Sequence, residues 1–217
     1  MNGVFANPGK DWEIRSLGDN NVLEIIDGDR GKNYPKKKDF LPEGHCLFMN
    51  TKNVRPDGFD FTETMFITES KDISMGKGKI QRGDVVMTTR GTIGNIGVFN
   101  RKVPYENIRI NSGMLIFRPN QKSLSPEYLF EILRSGVMKM QIAKHVSGAA
   151  QPQLPIKTLV KFNLPIPKTI EKQKEIVDKL RLLNASTIEL ESIYKRKLFN
   201  LDALKKSTLQ NAFEGAL

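Results

Sequence analysis

The sequence predicts an α+β fold, an irregular mixed β-sheet with short helices, followed by a long C-terminal α-helix that enters a coiled coil. Three observations carry this. Residues 1–155 hold short apolar runs broken by Gly, Asn, Asp and Pro, the pattern of strands and turns. Residues 168–214 contain neither Gly nor Pro. Their apolar side chains recur at alternating spacings of four and three, as in a coiled-coil seam. Residues 1–155 are therefore read as one globular domain and residues 156–217 as a helical arm.

Candidate strands occupy 22–26, 46–50, 83–88, 97–99 and 114–118, with turns at Asp27-Gly28, Pro56-Asp57-Gly58 and Arg82-Gly83-Asp84. Ser125-Pro126-Glu127 places an N-cap before a proline at the first helical position. Tyr128, Leu129, Ile132 and Leu133 continue that helix, and Gly136 is expected to end it. A second short helix is expected over 137–144. Residues 160–164 read as a strand that must stop at Pro165 and Pro167, since proline lacks the amide donor. Thr169 then offers an N-cap oxygen, and Glu171 brings negative charge to the positive end of a helix dipole. Beyond it Ile176, Leu180, Leu183, Leu190, Tyr194, Leu201 and Leu204 form the seam, with polar breaks at Thr187 and Lys197. A helix of this length outruns one small domain and needs a second helix to cover its stripe.

A chain of 217 residues with 39% hydrophobic content can bury a substantial core. No stretch approaches the ~18 apolar residues of a membrane helix, and residues 1–12 lack the regions of a signal peptide. With one cysteine, Cys46, no internal disulfide forms, as expected of a reducing, cytoplasmic compartment. His45 and His145 stand too far apart in sequence for a zinc spacing.

The 34 Lys/Arg outnumber the 24 Asp/Glu, giving net charge +10. Residues 1–155 carry 22 against 17 and residues 156–217 carry 12 against 7, so both parts attract polyanions. Nucleic acid is the commonest such partner. Residues 27–38, D-G-D-R-G-K-N-Y-P-K-K-K, combine turn formers with Arg30, Lys32, Asn33, Tyr34, Lys36, Lys37 and Lys38. Arginine and asparagine offer bidentate hydrogen bonds to base edges, and lysine suits phosphate. Residues 50–55 add Asn50, Lys52, Asn53 and Arg55 for the same purposes. A solvated basic loop is the plain alternative for both segments.

Enzyme readings find weaker support. Pro56-Asp57 with Glu69-Ser70-Lys71 imitates a carboxylate arrangement that binds a divalent metal for phosphodiester hydrolysis, but a turn explains Pro56-Asp57-Gly58 better. The glycines of 91–97 form neither a dinucleotide fingerprint nor a phosphate loop. No methyltransferase cofactor motif or Asn-Pro-Pro-aromatic tetrad occurs.

Across nearly the whole chain short motifs follow one another in a set order: Trp12 with Leu17-Gly18-Asp19, Gly83-Asp84-Val85-Val86, Gly91-Thr92-Ile93-Gly94 and Asn111-Ser112-Gly113-Met114-Leu115-Ile116 with Arg118-Pro119. They continue through Tyr128-Leu129, Gly148-Ala149-Ala150-Gln151-Pro152, Leu164-Pro165-Ile166-Pro167, Gln173-x-x-Ile176 and the terminal Leu209, Phe213 and Gly215. In this order they resemble the specificity subunit of type I restriction-modification enzymes. Family members usually hold two target-recognition domains, each followed by a helical region, and this chain resembles half of that, as a natural short form or a cut-down piece.

The resemblance implies a non-catalytic DNA reader of a prokaryotic cytoplasm. Its helix would lie in an antiparallel pair that spaces two recognition domains on an interrupted site and docks DNA methyltransferase subunits, which restriction subunits join. A half subunit would supply both ends as a homodimer reading a symmetric site. S-adenosylmethionine would belong to the methyltransferase partner, with no cofactor or metal in this chain. Because the glycines of 88–95 match the family pattern they are read as scaffold, with Arg90 on phosphate, and residues 147–153 as a hinge. The competing reading is a coiled-coil assembly protein whose globular domain binds protein.

Overall fold

The computed structural model describes residues 2–146 and 152–214. In chain order the elements are α1 (Asn2–Ala6), β1 (Trp12–Ser16), β2 (Leu23–Asp27), β3 (Cys46–Met49), β4 (Val54–Arg55), β5 (Gly58–Phe59), β6 (Phe66–Ile67) and α2 (Glu69–Ser74). They continue with β7 (Val85–Thr88), β8 (Ile96–Val98), β9 (Ile108–Ile110), β10 (Met114–Pro119), α3 (Pro126–Leu133), α4 (Gly136–His145), α5 (Ile156–Leu159), β11 (Asn163–Pro167) and α6 (Ile170–Phe213). The fold is mixed α+β, with irregular sheets and a long C-terminal helix.

Two sheets hold the core. An antiparallel sheet runs β2-β10-β7-β8, and a mixed one runs β6-β3-β9 with β3 and β9 parallel. Leu47 and Met49 of β3, Ile108 and Ile110 of β9, Val86 of β7, and Met114 and Ile116 of β10 meet in one buried cluster. Since side chains alternate along a strand, Leu115 and Phe117 of β10 face the other way. Helix α3 packs against β7, β8 and β10. Ser125 caps α3 by accepting from the Tyr128 amide at 3.2 Å. The buried Tyr128 donates its hydroxyl to the Pro165 carbonyl at 2.7 Å and meets Phe5 and Trp12 edge to face. Burial pushes its phenol pKa up.

The last strand departs from expectation. In place of a strand over 160–164 ending at Pro165, α5 is followed by β11, which runs through both prolines and pairs with β1 in register Trp12↔Pro167, Ile14↔Pro165 and Ser16↔Asn163. A two-stranded ribbon pairs β11 on one side only, so prolines at alternate positions leave the ladder intact. The pairing extends past the strands through Leu17 N–H to Phe162 O at 2.8 Å and Gly18 N–H to Val160 O at 3.0 Å. A β-carbon on Gly18 would meet the Val160 side chain at 2.7 Å, which explains a glycine there. This pairing ties both ends of the globular part together. One compact unit covers Met1–Glu175, and the expected boundary after residue 155 falls inside it.

Gly136 also differs from expectation. It opens α4 rather than ending α3, because Ser135 caps α4 through the Met138 amide.

Helix α6 has 44 residues, about 66 Å at the α-helical rise. Thr169 caps it, accepting from the Lys172 amide at 3.3 Å. Gln173 is fully buried. Its carboxamide accepts from Ser125 N–H at 2.8 Å and donates to the carbonyls of Ser123 at 2.8 Å and Pro167 at 3.1 Å. Along the expected seam Ile176 and Leu180 are buried, whereas Leu183, Leu190, Tyr194, Leu201 and Leu204 are between 52% and 63% exposed. The uncovered stripe therefore begins at Leu183.

Candidate nucleic-acid interface

The turn at 111–113 organises the candidate loops. A β-carbon on Gly28 would collide with the Asn111 carbonyl, and one on Gly113 would meet Thr51 at 2.9 Å. Gly28 is fixed by close backbone approach, and Gly113 by the Thr51 side chain packed over it. Thr89 donates its amide and hydroxyl to the Gly113 carbonyl at 2.8 and 3.1 Å. Arg30 reaches the Ser112 carbonyl at 3.2 Å. Segments 27–34, 50–53, 89–91 and 111–113 thus converge, bringing Arg30, Asn50, Lys52 and Arg90 to one region from distant parts of the sequence.

Loop 27–38 is held by an acid that sequence reading passed over. The buried Asp29 carboxylate accepts from the amides of Gly31 at 2.6 Å, Gly76 at 2.6 Å and Lys77 at 3.2 Å. Burial works to raise its pKa, but these amides outweigh it and hold the group below the usual carboxylate range. Asp29-x-Gly31 is the one sequence signal for this, as an Asx turn.

Arg30 is half-exposed, and its guanidinium lies 3.2 Å from Asp27. Lys32, Lys36, Lys37 and Lys38 are exposed. Two expected readers in this loop are anchors in the structure. Asn33 donates its amide to the Ser74 carbonyl at 2.7 Å, and the Tyr34 ring meets Phe48 edge to face at 5.7 Å. Asp39 ends the loop, accepting from Lys36 N–H at 2.8 Å and pairing with Lys71 at 3.3 Å.

In the next loop Asn50 caps the single helical turn Thr51–Asn53, accepting from the Lys52 amide at 2.8 Å. Asn53, expected among the base readers, is only 3% exposed. It donates to the carbonyls of Asp60 at 3.0 Å and Glu63 at 2.7 Å and accepts from the Asn50 amide at 3.0 Å. Its carboxamide substitutes for backbone pairing in an irregular segment, so its place is in the scaffold. Lys52 and Arg55 are exposed, with Arg55 3.5 Å from Asp60.

Arg90 bridges to Gln153. Gly91 N–H reaches Pro152 O at 3.3 Å and Leu154 N–H reaches Thr89 O at 3.0 Å. Most of the expected hinge at 147–153 lies outside the described residues, but Pro152 and Gln153 are stitched to the Arg90 loop. Gly91 and Gly94 have φ of +69° and +87°, backbone that favours glycine, consistent with scaffold. Sequence reading missed Lys77 and Lys157, which no motif marks.

Beneath the loops Asp72 forms a buried ionic centre with Arg109 and Lys79, and His45 lies 3.5 Å away. Arg109 also donates to the carbonyls of Asp72 and Lys77, each at 2.7 Å. Burial would raise the Asp72 pKa, yet Lys79 and Arg109 together lower it. The centre fixes α2 and the 76–78 turn on which loop 27–34 rests.

Among the described residues no group of three or more His, Cys, Asp or Glu is placed to hold a metal ion. Asp57 and Glu69 are exposed, and Lys71 pairs with Asp39. No helix among the described residues is long and apolar enough to cross a membrane.

The chain is 28% identical over 158 residues to the type I restriction enzyme EcoBI specificity subunit of Escherichia coli, covering 73% of this chain and 32% of that protein. It is 25% identical over 214 residues to the putative type I restriction enzyme MjaX specificity subunit of Methanocaldococcus jannaschii, covering 94% and 47%. The chain thus spans half or less of the length of these curated relatives. Its fold matches a chain from a solved structure on complex assembly and conformational transition of the type I R-M system with TM-score 0.70, at 22% identity, over 99% of this chain and 48% of that one. It also matches the HsdS subunit from Thermoanaerobacter tengcongensis with TM-score 0.65, at 22% identity, over 99% and 47%. The type I restriction modification DNA specificity domain matches residues 9–198, and with most of its length inside that match the chain belongs to this family.

Proposed function

We propose that the chain is a non-catalytic, sequence-specific reader of duplex DNA that recognises one half of an interrupted site. One observation carries this reading: the turn at 111–113 gathers exposed Arg30, Lys32 and Lys52 and the Arg90 loop from three separate segments. Cations supply phosphate affinity, and Arg30 and Asn50 have the donor geometry for base edges. The uncovered stripe of α6 from Leu183 to Leu204 takes a second helix, either from another copy of the chain or from a partner. Methyltransferase subunits dock on the helical arm and hold S-adenosylmethionine, and restriction subunits join through them.

Salt titration of duplex binding tests the reading. Replacing Lys36, Lys37 and Lys38 by Ala should weaken cognate and scrambled duplexes alike and flatten the salt slope. Replacing Arg30 or Asn50 should cost ~1–3 kcal/mol on the cognate duplex and little on the scrambled one. Duplex binding that ignores salt, or that is absent, would favour the protein-binding assembly reading instead.

A further inference from the structure

Two clefts adjoin at the convergence of the loops, and they share Asp27 and Arg30. The first is lined beyond them by Asp29, Lys32 and Lys77, and the second by Arg90, Gln153 and Lys157. Both acids are already engaged. Asp29 accepts from three backbone amides, and Asp27 pairs with Arg30 at 3.2 Å. Among the described residues none of Lys32, Lys77, Arg90 and Lys157 has an acidic partner within ion-pair distance. Four free cations therefore line two joined clefts, supplied by segments from Lys32 to Lys157.

A site for one small anion would converge buried donors on a point. Here the cations are spread along two open depressions, and Lys32, Lys77 and Lys157 are exposed. That distribution suits a chain of phosphates, where each cation neutralises a different charge and releases its counterion.

We infer that the two clefts form one continuous track for a phosphodiester strand of duplex DNA, with Lys77, Arg90 and Lys157 on phosphates and Asp27 as the positioning residue for Arg30 at the junction. The inference rests on the DNA-reading function proposed above and adds a route and contacts to it. Arg30 Nη2 donates both to Asp27 and to the Ser112 carbonyl, each at 3.2 Å. A guanidinium fixed in this way loses less side-chain freedom when it meets a base edge.

The test is duplex affinity of the intact chain, read by fluorescence anisotropy over a range of salt. Lys77→Ala, Arg90→Ala and Lys157→Ala should each weaken random-sequence duplex and reduce the magnitude of the log–log salt slope by about 0.9. Lys122→Ala, an exposed cation that lines neither cleft, should leave affinity and slope unchanged. Asp27→Asn should act in the opposite sense on the two kinds of duplex. Removing a negative charge tightens binding to scrambled DNA, while loosening Arg30 lowers the ratio of cognate to scrambled affinity. Salt slopes of Arg90→Ala and Lys157→Ala equal to that of the unaltered protein, with DNA binding intact, would overturn the track and leave the reading function standing. Failure of the unaltered protein to bind duplex would remove both.

Discussion

Asp84 and Arg118 meet through two parallel hydrogen bonds, Nε to Oδ1 at 2.9 Å and Nη2 to Oδ2 at 2.8 Å. Asp84 immediately precedes β7 and is 1% exposed, and its Oδ2 also accepts from Gln81 N–H at 2.7 Å. Arg118 stands near the end of β10, and the pair closes the side of the sheet where these two neighbouring strands meet. The bonds to Asp84 raise the arginine pKa further, so the guanidinium stays charged at any ordinary pH.

Because the fork needs a planar guanidinium, Arg118→Lys should destabilise the protein as well as Arg118→Ala. The alanine change leaves a buried carboxylate with one amide donor. It should cost about 2–4 kcal/mol, less than a fully buried pair because Arg118 keeps some solvent access. Urea denaturation of the two variants measures both costs.

Much of this architecture was legible because its residues obey local rules. The strands at 46–50, 83–88 and 114–118 are apolar runs bounded by turn formers. Ser125-Pro126 opens α3 as a cap followed by proline must, and the absence of Gly and Pro after Pro167 foretold α6. What stayed hidden was decided by tertiary partners. Strand β9 is Ile-Arg-Ile, and Arg109 reads as solvent-facing until Asp72 is placed against it. Asn53 and Asn33 have the composition of base readers, but their amides are consumed by carbonyls, those of Asp60 and Glu63 for Asn53 and the distant Ser74 for Asn33. Lys77 and Lys157 are ordinary lysines in sequence; Lys77 joins a cleft through the hold of Asp29 on the Gly76 and Lys77 amides, and Lys157 through the stitching of 152–154 to 89–91.

Asp29 and Asp72 both titrate below the usual carboxylate range in the folded chain. The unfolded chain, with carboxyl pKa near ~4, then binds these protons more readily than the native state. Their stabilisation is present above that pH and is lost as pH falls through the lower folded values. Urea midpoints should therefore decline from about pH 5 downward, and Asp29→Asn should be less stable at pH 7 with a flatter acid limb. An acid limb as steep as that of the unaltered protein would show that Asp29 is not among the groups responsible.

Cys46 is fully buried, and burial, reinforced by the charge of Asp72, pushes its thiol up to about 12. The thiolate is the reactive species, so a disulfide reagent at mild alkaline pH should label the native protein only as fast as it unfolds. Labelling should become rapid in denaturing urea. Fast native labelling would place Cys46 at the surface and contradict the packing around β3.

Leu190 and Leu201 lie on the exposed stripe of α6, at 52% and 61% exposure. Leu180, although on the same heptad register, is already buried in the single chain. A substitution at Leu180 would therefore damage the chain's own packing and confound any effect on association. The clean test is Leu190→Asp with Leu201→Asp, which places two charges where a second helix must cover the seam and where an unpaired charge is costly to bury. Leu182 is 70% exposed but points about 100° away from Leu183 around the helix, so Leu182→Asp controls for lost surface hydrophobicity. In sedimentation the double variant should have the mass of a single chain, while the unaltered protein and Leu182→Asp associate. Equal monomeric mass for all three would exclude self-pairing of α6, and equal association for all three would exclude this stripe as the seam.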